Sequence, residues 1–590
     1  MMDVLAPAAT SAARSARWAP WVALASAALL LVAVAGRPQG LHFYDQALQA
    51  TALRQWDRDV SPNLNTLVRV DPADLTRDLP EWLAWWPPSL QVLAAPLLAA
   101  GFTIGPALRI VFGLSLLVGA AGWACWMRRF PLPGAWVYFM AASLPWLRVA
   151  AENAFRYSAE ILSFALAPWL LLAVVRLPAL VVAGTTCAAT QLAAIGLLLG
   201  ASYLAKYSLF VFTISALLFV GWDQRRAWCA APHRVASLVG LVVLATATFL
   251  LPLAWRGLNA HHGSGDPTSF AAGHAFDPLD LVYAVANPAL ALADAQGPLF
   301  HAFVFPGILR PPVHLLELPA GSALLAWIGL PAGGFLAWLL FRAARQTDCD
   351  FSGRLAAGLL ALNTLALLLL WQCAEVDRSA RHFTPAALAA LPLAVHDGLR
   401  AWQRTGVQGR VVLAGLASAF VVGPMIYGFV YVGTKVATIP ADYRTGQSGL
   451  YLPRLSLTDV SATLAAARPF WNEKSVWLVE DPEMALELPG RSMVIYGDRD
   501  VGHELRRLAD TWRRPGDLAT SRPMRLLLLL QRRGGTDQER TDLAATAAAI
   551  GPVTAWQRVD LPAGNCTLWV ATLSPGYPAT APSSANSAHR

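Results

Sequence analysis

Residues 87–104 begin PPSLQVLAAPLLAAGF and are apolar enough to enter a bilayer. Whether they cross it decides the fold, because a crossing here inverts every loop that follows. A span needs about 20 apolar residues, within a range of about 17–25. Residues 19–36 (APWVALASAALLLVAVAG) meet that length and follow Arg14 and Arg17, which reads as an uncleaved signal anchor with its N-terminus in the cytoplasm. Further runs predict spans near 107–127, 132–149, 159–175, 180–204, 207–222, 235–254, 322–341, 355–373, 384–399 and 411–432. If 87–104 stays out of the count there are eleven spans. The pairs and triplets Arg128/Arg129, Arg225/Arg226/Arg234, Arg342/Arg345/Arg354 and Arg400/Arg404/Arg410, with Arg176, then all fall inside. We therefore read 87–104 as a juxtamembrane or re-entrant helix on the outer face, its Pro87-Pro88 start suiting a helix that begins at the interface.

Composition agrees with a polytopic membrane protein. The chain of 590 residues is 56% hydrophobic and only 14% charged, with mean hydropathy +0.45. Soluble domains hold about 25% charged residues. The net charge of +8 is dispersed over short loops, which argues against a nucleic-acid surface. Six scattered Cys with no CxxC indicate neither a disulfide framework nor a zinc site. The triplet His261, His262 and His274 has no zinc spacing. No Walker A loop, GxGxxG, GxSxG or HExxH pattern occurs, so nucleotide-driven transport and the common soluble hydrolase chemistries lack support.

The eleven-span threading places outside a first loop (37–106), a short loop near 150–158, a third loop (255–320), a short loop at 374–383, and the tail 433–590. The tail alternates apolar runs, Ser475–Glu480, Ser492–Gly497, Met524–Gln531 and Thr567–Leu573, with amphipathic stretches at 457–467, 501–513 and 537–549. That alternation predicts a small extracytoplasmic α/β domain over 433–574, with a Ser/Pro/Ala-rich disordered tail at 575–590. The fold class expected is thus mainly α, a polytopic helical membrane protein with a C-terminal α/β domain. Asn565-Cys566-Thr567 forms a glycosylation sequon.

Ionisable residues stand out against the apolar background. Asp45 follows the first span, on an amphipathic stretch, and a carboxylate there can serve as a general base toward a hydroxyl. Trp82, Trp85 and Trp86 precede the Pro-Pro pair and suit an interfacial belt or a stacking wall for a sugar or lipid. Arg109 opens the second span. Arg156, Tyr157 and Glu160 lie where the second outer loop enters a span, and Arg156 with Glu160 would pair on a continuous helix. Lys206, one of only three lysines, lies between two apolar runs, where it can either snorkel or neutralise a phosphate. Arg378, Arg381 and His382 crowd the short loop before the tenth span, and Arg beside head groups is a natural phosphate clamp.

Taken in order, these pieces resemble the GT-C superfamily of polytopic glycosyltransferases, which includes the protein O-mannosyltransferases and the aminoarabinose transferases that modify lipid A. The pieces are FYDQALQA with Asp45, WWPPSLQVLAAPLLAAG, ALRIVFGLSLLVG with Arg109, FRYSAEILSFALAPWLLLAVVR with Glu160, GLLLGASYLAKYSLFVF with Lys206, and RHFTPAALAALPLA with Arg381 and His382. They span about residues 20–430. Departures exist: Gln46 follows Asp45 where many relatives carry a second acid, Glu160 stands where Asp is frequent, and His382 where Tyr is common. The resemblance implies an extracytoplasmic inverting transferase that takes a sugar from a polyprenyl-phosphate donor to a lipid, glycan or protein acceptor in the bacterial envelope. It implies Asp45 as base, Lys206, Arg381 and Arg109 on the donor phosphate, and Arg156, Tyr157, Glu160 and His382 on the acceptor side. Only some relatives use a divalent metal, and no metal ligand set or other cofactor is assigned here. The alternative is a non-catalytic carrier-binding or envelope-assembly protein on the same scaffold. A transporter would carry its polar residues at mid-membrane and often show internal repeats, neither of which is present.

Overall fold

The long apolar runs become helices because a backbone in hydrocarbon must satisfy its own polar groups. In the computed structural model, six helices among the described residues are long and apolar enough to cross a membrane: Ile104–Met127, Glu160–Ala183, Thr186–Ala205, Tyr207–Cys229, Arg234–His261 and Phe351–Gln372. The chain is mainly helical, with a C-terminal mixed sheet. The structure describes residues 16–41, 44–71, 77–230, 233–262, 278–295, 350–373, 380–417, 423–439, 446–451, 457–472, 474–479, 482–494, 524–531, 557–559, 561 and 566–573, with short pieces between 333 and 341. The segment expected to span at 322–341 and the amphipathic stretches at 501–513 and 537–549 lie largely or wholly outside those residues, as do Arg378, the sequon's Asn565 and the tail beyond 573.

Several boundaries differ from expectation, each for a local reason. The run at 132–149 is broken into a helix over Gly134–Ser143, a 3-10 turn at Leu144–Trp146 and the start of a short helix, Arg148–Ala151. Pro145 has no N–H to extend the ladder. The helix from Glu160 ends at Val174, a turn at Val175–Arg176 follows, and a second helix, Leu177–Ala183, continues the apolar stretch until Gly184 takes a left-handed φ of 58° and ends it. The next helix starts at Thr186, capped by the Thr185 hydroxyl, which accepts from Ala188 N at 3.2 Å. The first apolar helix covers Ala19–Ala33, with Pro20 in its first turn. Within the stretch expected as the third outer loop the chain forms an 18-residue helix, Pro278–Ala295, whose buried Asp280 accepts from Gln372 Nε2 at 2.5 Å.

Two compact units emerge. The first comprises residues 1–37, 84–89 and 110–440, and the second 38–83, 90–109 and 441–590. In the first unit, helices Thr186–Ala205 and Arg234–His261 pack so closely at Gly196 and Gly200 that a Cβ there would lie 2.7 Å from Leu244 O and 2.6 Å from Thr248 O. Close approach of this kind needs small residues. The outward face of Arg234–His261 carries exposed Leu238, Val242, Leu250 and Leu253, as a lipid-facing helix does. Trp123 and Trp126, both fully buried, donate to the carbonyls of Phe164 and Ala389 at 3.0 Å each, and so tie Ile104–Met127 to the helices Glu160–Val174 and Thr384–Arg404.

The second unit joins residues 38–83 and 90–109 to the C-terminal segment, a long-range association with no local signature. Its helix Ser89–Ala99 has 11 residues. At 1.5 Å per residue that is about 16 Å, half of a hydrocarbon core. A hairpin pairs β1 (Thr66–Val70) with β2 (Asp78–Trp82), and Arg491 binds Asp78 Oδ1 at 2.7 Å. The C-terminal sheet contains β3 (Val476–Val479), β4 (Arg491–Val494), β5 (Met524–Gln531), β6 (Gln557–Val559) and β7 (Cys566–Leu573), in the order β4-β3-β5-β7-β6. β3 runs parallel to β4 and β5, and β7 antiparallel to β5 and β6. Val476 to Val479 and Leu526 to Leu529 are all buried, which explains why these strands read as unbroken apolar runs.

Candidate functional site

In the first unit, three separated stretches deliver ionisable side chains to one place. Glu160 begins its helix, where the positive end of the helix dipole favours a carboxylate. Lys206 ends helix Thr186–Ala205 and begins helix Tyr207–Cys229, in an extended conformation (φ −165°, ψ 132°) that needs no glycine. Arg381 and His382 lie in the 3-10 turn Ala380–Phe383, which leads into Thr384–Arg404 with Pro385 in its first turn. Lys206 Nζ donates to Glu160 Oε1, and Arg381 and His382 both act electrostatically on the same carboxylate. The side chains of Lys206 and Glu160 are only 14% and 16% exposed, so this is a largely desolvated pair.

The surroundings of the pair are built from neutral contacts that sequence reading missed. Tyr207 donates to Ala84 O at 3.0 Å and accepts from Trp255 Nε1 at 3.0 Å. Ser89, just after the Pro-Pro pair, donates to Ala205 O at 3.2 Å. These bonds fix the residues on either side of Lys206. A narrow cavity of about 10 Å³, enough for about one water, is lined by Glu160, Ser163, Thr384, Pro385 and Trp123 among others. Ser163 is buried, and its hydroxyl has no hydrogen-bond partner among the described residues. It sits three residues after Glu160, a helical spacing that puts both on one face and was the available signal.

Arg156 and Tyr157 form a short strand before the helix of Glu160, so the continuous helix that would have paired Arg156 with Glu160 does not exist. Among the described residues Arg156 makes no ion pair. The i,i+4 pair in this region is instead Arg148 with Glu152, at 2.6 Å. Tyr157 is 1% exposed and its hydroxyl has no hydrogen-bond partner among the described residues. Burial pushes its phenol up.

Asp45 and Arg109 belong to the second unit. Asp45 lies in the first turn of helix Tyr44–Asp57, as expected, and its side chain is outside the described residues. One turn on, Gln49 donates to Gln91 Oε1 at 3.3 Å, Gln91 donates to Asn65 Oδ1 at 3.2 Å, and Asn65 donates to Leu83 O at 2.8 Å. All three side chains are buried. This relay holds the Asp45 helix against Ser89–Ala99 and the hairpin. Gln46 is also buried, and its amide oxygen has no hydrogen-bond partner among the described residues. Arg109 is half-buried near the start of helix Ile104–Met127.

A second buried charge group holds Arg54 of the same helix. Burial, with Arg58 adding to it and Glu487 opposing, lowers its guanidinium to about 10. Glu487 is fully buried and accepts from Ser448 N at 3.3 Å and from the Ser448 hydroxyl. Arg54 also donates to Gln447 Oε1 at 3.1 Å. Among the described residues no group of His, Cys, Asp and Glu could hold a metal ion.

No family model and no curated protein matches this chain. Solved structures similar to it include two of ArnT from Cupriavidus metallidurans. The structure bound to undecaprenyl phosphate aligns at a TM-score of 0.47 and 12% identity, covering 94% of this chain and 98% of that one. The apo structure aligns at 0.48 and 13% identity, covering 95% and 99%.

Proposed function

We propose that this chain is an extracytoplasmic inverting glycosyltransferase, using a polyprenyl-phosphate sugar as donor and an envelope lipid, glycan or protein as acceptor. The observation that carries the reading is the charge balance around Glu160. One carboxylate is held by an ammonium and a guanidinium, with an imidazole beside them. Glu160 neutralises one of the two fixed cations and leaves a net positive charge in a desolvated setting, which suits a phosphate.

In this reading Asp45 takes the proton from the acceptor hydroxyl. The hydroxyl oxygen attacks the anomeric carbon from the face opposite the phosphate. The carbon–oxygen bond to the phosphate breaks, and the electron pair leaves with polyprenyl phosphate, which gains a negative charge. Lys206 and Arg381 stabilise that charge, with Arg109 assisting, by fixed electrostatics of the kind that often dominates catalysis. Glu160 holds Lys206 in place. Arg156, Tyr157 and His382 serve the acceptor side. The proposed topology has eleven spans, a cytoplasmic N-terminus, residues 87–104 on the outer face and an outer domain over 433–574, in the inner membrane of a bacterium.

Purified protein given a panel of polyprenyl-phosphate sugars, with and without crude envelope acceptor, tests this. Acceptor-dependent release of polyprenyl phosphate, lost in Asp45→Asn and in Lys206→Ala, is the expected result. Donor binding without release from any donor would favour the carrier-binding alternative.

A further inference from the structure

A second cavity lies away from the Glu160–Lys206 pair. It is a groove of about 740 Å³ in the first unit, between Leu177–Ala183, the start of Thr186–Ala205 and the start of Arg234–His261. The latter two helices are locked together at Gly196 and Gly200, and the groove opens toward their N-terminal ends. Helix Thr186–Ala205 separates the groove from Lys206. Its 20 residues span about 30 Å, the thickness of a hydrocarbon core. The groove therefore belongs to the opposite leaflet.

Its chemistry is one-sided. Val181, Ala189, Leu192 and Val239 give an apolar lining, while His233 and Arg234 supply the charge. Both are exposed, and neither side chain has a partner among the described residues. The 28-residue helix that begins at Arg234 has no side-chain cap, so its first N–H groups face the same end. Among the described residues no Asp or Glu and no Phe, Tyr or Trp lines the groove. It therefore offers a phosphate a cation and nothing to a quaternary ammonium, which seeks acids or aromatic faces.

We propose that this groove binds one anionic phospholipid of the leaflet opposite the Glu160–Lys206 pair. The phosphodiester sits at Arg234 and His233, and an acyl chain lies along Val181, Leu192 and Val239. This assignment is independent of the transferase reading.

The full chain is purified and exchanged into detergent with phosphatidylglycerol or phosphatidylcholine of identical acyl chains, and retained lipid is counted by native mass spectrometry. One phosphatidylglycerol per chain, preferred about tenfold over phosphatidylcholine, is expected. The double variant Arg234→Gln/His233→Gln should reduce that preference to near unity. Ala189→Leu fills the groove without touching the charges and should lower retention of both lipids, with thermal unfolding confirming that each variant folds. Equal retention of the two lipids by the unaltered chain, or an unchanged preference in the double variant, overturns the proposal. Displacement of the lipid by millimolar inorganic phosphate also overturns it, since the apolar lining would then contribute nothing.

Discussion

The ammonium of Lys206 donates a hydrogen bond to the carboxylate of Glu160, 46 residues earlier in the chain, and joins the start of one membrane helix to the junction of two others. Desolvated pairs have an asymmetric energetics. Removing one member strands a charge at a cost of about 3–5 kcal/mol, whereas replacing both with apolar groups of similar shape is often neutral. Lys206→Met or Glu160→Gln alone should lower the unfolding midpoint in detergent markedly, and the double variant should recover most of the loss. A double variant no more stable than the worse single one would show that the pair is not the source.

Asp45→Asn keeps the shape of the side chain and removes the base. Positioned proton transfer contributes about 10²–10⁴-fold. Acceptor-dependent release should fall by that factor while donor affinity, read by tryptophan fluorescence, stays within about twofold.

Tyr157 buries a hydroxyl that has no hydrogen-bond partner among the described residues. An unmade buried hydrogen bond costs about 1–3 kcal/mol. Tyr157→Phe should therefore leave stability unchanged or raise it. If the hydroxyl meets the acceptor, kcat/KM for acceptor falls while donor affinity holds. A Tyr157→Phe variant that is clearly less stable would mean the hydroxyl already has a partner in the folded chain.

Glu487→Ala should destabilise the second unit locally. Arg54 would keep its burial and its repulsion from Arg58 and lose the opposing carboxylate, and Ser448 would lose its acceptor. Hydrogen–deuterium exchange should quicken over 446–451 and over helix Tyr44–Asp57, with little change in the membrane helices.

Gly200→Val places two methyl groups where even a Cβ would meet Thr248 O at 2.6 Å. Overpacking of this kind costs about 1–3 kcal/mol. A fall in the unfolding midpoint is expected here, against little change for Gly221→Val, whose Cβ meets nothing within 4 Å.

What the sequence made legible was charge against an apolar background. Glu160, Lys206, Arg381 and His382 stand out because each lies at the end of a long hydrophobic run, and an ionisable group at such a place is seldom accidental. Their roles remain proposals, but their meeting in space is a feature of the fold. Ser163 was marked only by its helical spacing from Glu160, and Thr384 and Trp123 not at all, since a neutral residue in a span carries no such penalty. The relay Gln49–Gln91–Asn65 was hidden for a different reason. Its members lie far apart in sequence, and only the packing of the hairpin on two helices makes them partners. The expected pairing of Arg156 with Glu160 failed because it assumed helix where the chain is extended. The strands at Val476–Val479 and Met524–Gln531 were plain from their apolar runs, whereas β6 at Gln557–Val559 is short, polar and exposed and gave no such sign.

Lys206 is the only residue between helices Thr186–Ala205 and Tyr207–Cys229. No slack exists at this joint to absorb movement. A tilt or roll of either helix therefore carries the Lys206 backbone with it and bears directly on the bond to Glu160. The joint works as a lever whose short arm carries the charge.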